Sequence, residues 1–501
     1  MNKKIKKKII IVVFVVIIFI ISVSSLISLN KFGIINPFPV GYGLIRVMVF
    51  NSDYAEIQKS PRVVVAKSDN AWQLFLDTIK KEGYSYLEDE RMGSQLSIMK
   101  NGKREKVYFS VNGYFSKWTW DNEYASEKSK DKVFIESSAD FALKLFKKSI
   151  KENENSLVSP LSVMLALSMT ANGADGQTKT EMEKLLGGKI KLDELNKALH
   201  SYVTNLPSNE KYKLKIANSI WFRDDKNKFT INEAFLQINN KYYGADTYKS
   251  AFDDQTVKDI NNWVDKKTDG MINQILNDID DDTIMYLINA LAFDAEWSKI
   301  YNADSIYDDW FTTKDGSKQE VEMMVSREGI YIDTGKATGF IKNYKDDKHS
   351  FVALLPNENV DINKYITSLT GKKFMSDISK AKSTEVIAYL PKFSYEYNIK
   401  LNDVLSSLGM PTAFNANSAN FSKLGSSNGE NIFIGNVIHK TFISVDEKGT
   451  KAGAVTALEM VLTSGGSEPK HVKLDRPFIY AIVDNTTGLP VFIGTVMDIQ
   501  K

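Results

Sequence analysis

The chain contains no cysteine. Disulfides, thiolate metal sites, a thiol nucleophile and an acylated lipoprotein cysteine are therefore excluded. Histidine is scarce: His200, His349, His439 and His471 are the four in 501 residues, and none lies in a His-Glu-x-x-His zinc motif. A phosphate-binding glycine loop is missing as well. Asp278 to Asp282 begins like a calcium loop but has Thr283 where glycine is needed and Asn289 where the bidentate glutamate belongs. No dense basic cluster with interleaved aromatics occurs, so nucleic acid is a poor candidate partner. The expectations are no catalytic residue, no cofactor and no metal.

What is present is ordinary globular composition, 43% hydrophobic and 25% charged, with one long apolar run. Lys3, Lys4, Lys6, Lys7 and Lys8 precede an uncharged stretch from Ile9 to Asn30. A basic flank before about 20 apolar or small residues is an export signal, long enough to span a bilayer. Lysines on the N-terminal side leave that end in the cytoplasm and the rest outside. Residues 1–30 are thus a signal peptide or signal anchor. Ser22, Ser24, Ser25 and Ser28 leave cleavage open, while the length of the run favours a retained anchor. Removing the five lysines turns the formal charge of +2 into −3.

Residues 43–122 have the pattern of a small α+β domain. Leu44–Phe50 and Arg62–Ala66 are expected as strands. Asp69–Glu82 is expected as an amphipathic helix, with Trp72, Phe75, Leu76 and Ile79 on one face and Asp69 as its cap. Leu96–Met99 and Lys106–Val111 flank Asn101-Gly102, a hairpin signal. Trp118 and Trp120 fit core packing better than a binding surface. Residues 123–132, charged and without large apolar side chains beyond Tyr124, are expected as a linker to a domain over 133–501.

The most unusual stretch is Val445 to Met460, VDEKGTKAGAVTALEM, which follows a strand-like run. It is too small and uncharged for an ordinary loop and too small for an ordinary buried strand. Alternate strand residues point to opposite faces. Thr450, Ala452, Ala454, Thr456, Leu458, Met460 and Leu462 would share an uncharged face, small at its leading end. Lys451 and Glu459 would share the other. Such a segment can enter a sheet with its ionic groups left in water. A one-residue slip would bury them. On composition alone, a flexible linker fits equally well.

Further motifs separate these readings. In order come Asn155-Ser156-Leu157-Val158-Ser159-Pro160-Leu161-Ser162, Thr170 to Thr178, Ala217-Asn218-Ser219-Ile220-Trp221, and Ile260-Asn261-Asn262-Trp263-Val264. Asn289-Ala290-Leu291-Ala292-Phe293 with Trp297, Val321-Glu322-Met323-Met324, Leu390-Pro391-Lys392-Phe393, Asn420-Phe421-Ser422 and Asp475-Arg476-Pro477-Phe478 follow. This series resembles the serpins, the serine protease inhibitor family, over roughly three-quarters of the chain. The resemblance is to a bacterial-type member with an extra N-terminal domain. It implies an α+β fold of three β-sheets, about nine helices and an exposed reactive loop.

The resemblance also implies a mechanism. A target protease cleaves the reactive loop and is held as an acyl-enzyme while the loop inserts as a new strand in the main sheet. The hinge would be Glu447, Gly449, Thr450, Ala452, Ala454 and Thr456, with Gly449 supplying backbone freedom. Lys451, commonly Glu, and Val455, commonly Ala, depart from the family pattern on the outward face. Trp297, Lys392, Ser159, Ser162, Asn289 and His439 resemble the residues that control sheet opening. Lys392 would pair with Glu447, and His439 lies eight residues before it. Counting forward from Glu447 places the reactive bond at Thr463-Ser464, with Leu462-Thr463 next; counting back from Pro477 places it near Gly466.

No Arg or Lys lies beside that bond. The implied partner is a serine protease of small or apolar primary specificity, elastase-like or subtilisin-like, with a cysteine protease open. The protein is expected as a monomer, extracellular, secreted or held on the outer face of the cytoplasmic membrane by its N-terminal helix. The alternative is a non-inhibitory serpin fold serving as a surface binding or adhesion protein.

Overall fold

The computed structural model describes residues 23–450 and 468–499, apart from 26, 30, 33, 35, 60, 61, 93, 101, 102, 121, 207–211, 346 and 430. The chain divides into two units after Lys132. Among the described residues no helix is long and apolar enough to cross a membrane. The signal run lies outside them as far as residue 22.

The first unit is a six-stranded antiparallel sheet. Its order is Tyr54–Lys59, Arg62–Ala66, Ser116–Trp120, Lys103–Val111, Gln95–Lys100, Ser85–Met92. Helix Ala71–Lys81 covers one face, packing Phe75 and Ile79 on Val64, Leu96, Val107 and Trp118. Helix Pro37–Met48 covers the other, packing Val40 and Val47 on Ile57, Val63 and Val65. Burial on both faces explains why Val63, Val64 and Val65 form an unbroken β-branched run instead of an alternation.

Three local expectations change. Leu44–Phe50 does not form a strand; Leu44 to Met48 ends the helix Pro37–Met48. Asn36 accepts a hydrogen bond from the Phe38 N–H, Pro37 opens the first turn, and Val40, Gly43 and Val47 recur at helical spacing. Gly43 permits the contact with the sheet, since a Cβ there would lie 2.2 Å from Ile57 Cγ2. Asp69 is not the cap of the next helix. Asn70 occupies that position with φ 54°, and no side chain caps it. The stretch 123–132 is not an open linker but the start of helix Asn122–Ser149. It contains no glycine or proline, and its Glu and Lys are good helix formers. Lys100 does pair with Lys103 across the two residues Asn101-Gly102, and Trp118 and Trp120 are core residues.

In the second unit a six-stranded sheet runs in the order Asp246–Ser250, Tyr212–Arg223, Met285–Glu296, Gly449–Thr450, Ile438–Val445, Phe393–Lys400. A nine-stranded sheet takes in most of the remaining strands, eight of them along one path and Ile306–Thr312 paired with Lys318–Asp333 beside it. The 16-residue strand Lys318–Asp333 links its two halves, with an irregularity between Glu328 and Ile330. A two-stranded ribbon pairs Gly425–Ser427 with Phe229–Ile231. The described residues hold nine α-helices in this unit, counting Asn122–Ser149. Helix Pro160–Ala171 is buried almost throughout and packs on the six-stranded sheet; Ser159 caps it by accepting from the Ser162 N–H. A helix apolar on every side belongs in such a place.

Candidate functional site: a split in the six-stranded sheet

Among the described residues, strands Met285–Glu296 and Ile438–Val445 are neighbours in this sheet only through the two residues Gly449 and Thr450. Gly449 pairs with Glu296, and Thr450 pairs with both Ala295 and Val445. Gly449 does not adopt a positive φ. Its role is close approach, because a Cβ there would stand 2.1 Å from the Ala295 carbonyl oxygen. The segment between is a tight turn: the Asp446 carboxylate accepts from the N–H groups of Lys448 and Gly449 at 2.8 and 3.1 Å.

Thr450 is 3% exposed, and its Oγ1 lies 2.7 Å from the Tyr344 hydroxyl. Tyr344 stacks on Trp297 at 4.6 Å. Trp297 donates its indole N–H to the Asp446 carbonyl and its backbone N–H to the Lys448 carbonyl, both at 2.9 Å. The turn is thus clamped from below. Beside it, Lys392 Nζ lies 3.0 Å from Glu447 and 3.0 Å from Glu322. The bond from Lys392 holds the Glu447 carboxyl below its ordinary pKa. Burial works against the Lys392 ammonium, yet the two carboxylates hold its pKa above the ordinary value. Both partners reach solvent, so the pair is worth less than about 1 kcal/mol and serves to position the turn.

A second cation, Lys342, is 1% exposed. It donates to Glu328 at 2.8 Å and to the Lys299 carbonyl at 3.1 Å, and it stands 4.3 Å from the Tyr301 ring centroid. Burial pushes its pKa down, and Glu328 opposes that shift. Lys342 and Tyr344 belong to no motif. The one signal for Lys342 is period-two spacing from the buried Phe340.

Below the turn, a cavity of about 650 Å3 separates the two strands. Ser159, Ser162, Asn289 and His439 all line it. The Ser159 N–H donates to His439 Nε2 at 3.0 Å, and Ser159 Oγ donates to the Val491 carbonyl at 3.0 Å. The Asn289 amide N–H donates to Asn218 Oδ1 at 2.8 Å, while its buried Oδ1 has no partner among the described residues. Ala452, Ala454, Thr456, Leu462, Thr463 and Ser464 lie outside the described residues.

Burial pushes the His439 pKa down to about 4. The neutral ring accepts from Ser159, so protonation must break that bond. An unfolded histidine takes its proton near pH 6.5. The His439 contribution to stability is therefore complete above about pH 6.5 and lost as pH falls towards 4. Between pH 7 and 4.5 the urea midpoint is expected to fall, with about 2 kcal/mol of the loss removed in His439→Gln. An equal loss in both proteins would contradict the assignment.

One enzyme-like spacing exists. Gly425-Ser426-Ser427-Asn428-Gly429 reads Gly-x-Ser-x-Gly. In a nucleophile turn the serine sits between a strand and a helix. Here Ser427 ends a ribbon strand with no helix after it, and its Oγ donates to the Lys228 carbonyl at 2.8 Å.

Among the described residues, Gly449 and Thr450 thus enter one end of the sheet, and a cavity lies between the same two strands beyond them. The model of the family described as Serpin (serine protease inhibitor) matches residues 136–499. The chain belongs to the serpin family. It is 30% identical over 379 residues to human neuroserpin, covering 72% of this chain and 91% of that one. It is 31% identical over 375 residues to the leukocyte elastase inhibitor of Xenopus laevis, covering 71% and 96%. Among solved structures, the thermophilic serpin tengpin in its native state is 56% identical, with a TM-score of 0.70 over 73% of this chain and 94% of that one. Serpins are typically inhibitors that bind target proteases, not catalysts, and some members are non-inhibitory.

Proposed function

We propose that this protein is a suicide-substrate inhibitor of extracellular serine-type endopeptidases. The observation that carries the reading is the entry of Gly449 and Thr450 between two strands that nothing else joins among the described residues. Continuing the register of Thr450 opposite Ala295 would set Gly449–Met460 against the whole 12-residue strand Met285–Glu296. Thr450, Ala452, Ala454, Thr456, Leu458 and Met460 would then face the buried helix. Thr456 would fall opposite Asn289, whose Oδ1 meets no donor among the described residues. On the outer face, Lys451 would fall opposite Asp294. An acidic neighbour in that register gives a physical reason for lysine where the family commonly has glutamate.

Twelve residues reach Met460, three short of Thr463. Cleavage at Thr463-Ser464 would therefore leave enough chain to fill the sheet. The absence of a basic residue there favours a protease with a small or apolar primary pocket. The lysine-flanked apolar run supports a bacterial-type protein acting outside the cell, secreted or held on the membrane surface.

Mixing the protein with elastase or subtilisin tests this. A covalent band that survives a denaturing gel is expected, and the released C-terminal peptide should begin at Ser464 by mass. Clean cleavage with no adduct would instead favour a non-inhibitory surface protein.

A further inference from the structure

We propose that the outer face of helix Pro37–Met48 lies on the surface of a lipid bilayer, holding the first unit against the membrane. The proposal rests on the reading of residues 9–30 as a retained anchor. The helix is apolar on two opposite sides. Val40, Gly43 and Val47 are buried on the sheet. Phe38, Tyr42, Ile45 and the following Val49 recur at i, i+4, i+7 and i+11, on the opposite side, and are 68%, 65%, 48% and 70% exposed. Phe50, next in the chain, is 72% exposed. Arg46 is the only charge in these 12 helical residues, and it lies on the flank of the stripe. Scattered exposed apolar residues are ordinary, but a continuous stripe of large ones marks a surface that something covers.

The chain itself names the occupant. The uncharged run ends at Asn30, seven residues before Pro37. A helix of about 20 residues crosses the hydrocarbon core, and the seven residue-to-residue steps from Asn30 to Pro37 reach at most about 25 Å. The helix therefore cannot leave the neighbourhood of the bilayer. Val23, Ile27 and Leu29, at the end of the uncharged run itself, are exposed as well. Aromatic and aliphatic side chains on one face, with a basic residue at its edge, are what the headgroup boundary accommodates.

The lack of cysteine makes the test direct. Tyr42→Cys and Lys80→Cys are labelled with a polarity-sensitive fluorophore in the full chain. Lys80 is exposed on helix Ala71–Lys81, which packs on the other face of the sheet. Each protein is reconstituted into phosphatidylcholine–phosphatidylglycerol vesicles, with and without lipids carrying a shallow nitroxide. The Tyr42 label should be blue-shifted and quenched at least threefold more than the Lys80 label. Protein that fails to float with the vesicles removes the anchor and the proposal together. Floated protein with equal quenching at both sites removes the proposal alone. A Tyr42 label shielded from both nitroxide lipid and aqueous iodide means a protein surface covers the stripe, which also overturns it. None of these outcomes bears on inhibition.

Discussion

Thr450→Arg is expected to convert the protein from an inhibitor into a substrate, with the covalent adduct on a denaturing gel reduced at least tenfold. Thr450 is 3% exposed, wedged between Ala295 and Val445 with its hydroxyl on Tyr344. A guanidinium in that place must be stripped of water without a designed partner, at a cost of several kcal/mol. That cost falls on the first side chain of the entering segment, so it raises the barrier to everything behind it. Deacylation then wins, and the loop is cut without trapping the protease. Lys451→Arg, one residue on and facing outward in the continued register, should leave the adduct yield within about twofold, since an exposed conservative change is worth under about 0.5 kcal/mol. Equal loss in both variants would mean that the parity of the hinge is wrong.

Cutting the loop should also make the molecule far more resistant to heat. A strand of about a dozen residues contributes ladder hydrogen bonds at about 1 kcal/mol each, and buried Leu458 and Met460 add roughly 1.5–3 kcal/mol apiece. Among the described residues of the intact protein, Gly449 and Thr450 alone stand between the two strands, with a cavity of about 650 Å3 beyond them. Even after the entropy of ordering the loop is subtracted, the gain should raise the melting temperature by more than about 10 °C. Calorimetry of intact and nicked protein measures it. An unchanged melting temperature would remove the driving force on which trapping depends.

The two expectations draw on different parts of the molecule. The first needs only the facing of one side chain, which strand periodicity carries. The second needs the gap, which no local pattern reveals. The same division runs through the fold. The strand Arg62–Ala66, the pairing across Asn101-Gly102, the burial of Trp118 and the helix containing Phe75 and Ile79 were all legible, because each depends on residues within one or two turns of chain. Leu44–Phe50 was not. Its β-branched and aliphatic residues suit a strand, and only packing of Val40, Gly43 and Val47 on a sheet formed later in the chain selects the helix.

At the site the sequence by itself determined the identities that matter at the hinge. The alternation of small uncharged and ionic residues after Gly449 sets which face can be buried, because strand side chains alternate whatever surrounds them. Tertiary structure alone decided how that hinge is held. Tyr344 meets Thr450 across 106 positions of chain, and Trp297 reaches the Asp446 carbonyl across 149. Lys342 becomes a buried cation only because Glu328 and the Lys299 carbonyl converge on it. The separation of Met285–Glu296 from Ile438–Val445 is likewise a property of the assembled sheet. Backbone hydrogen bonds between distant strands depend on what lies between them, and a sequence read along one chain carries periodicity but not that distance.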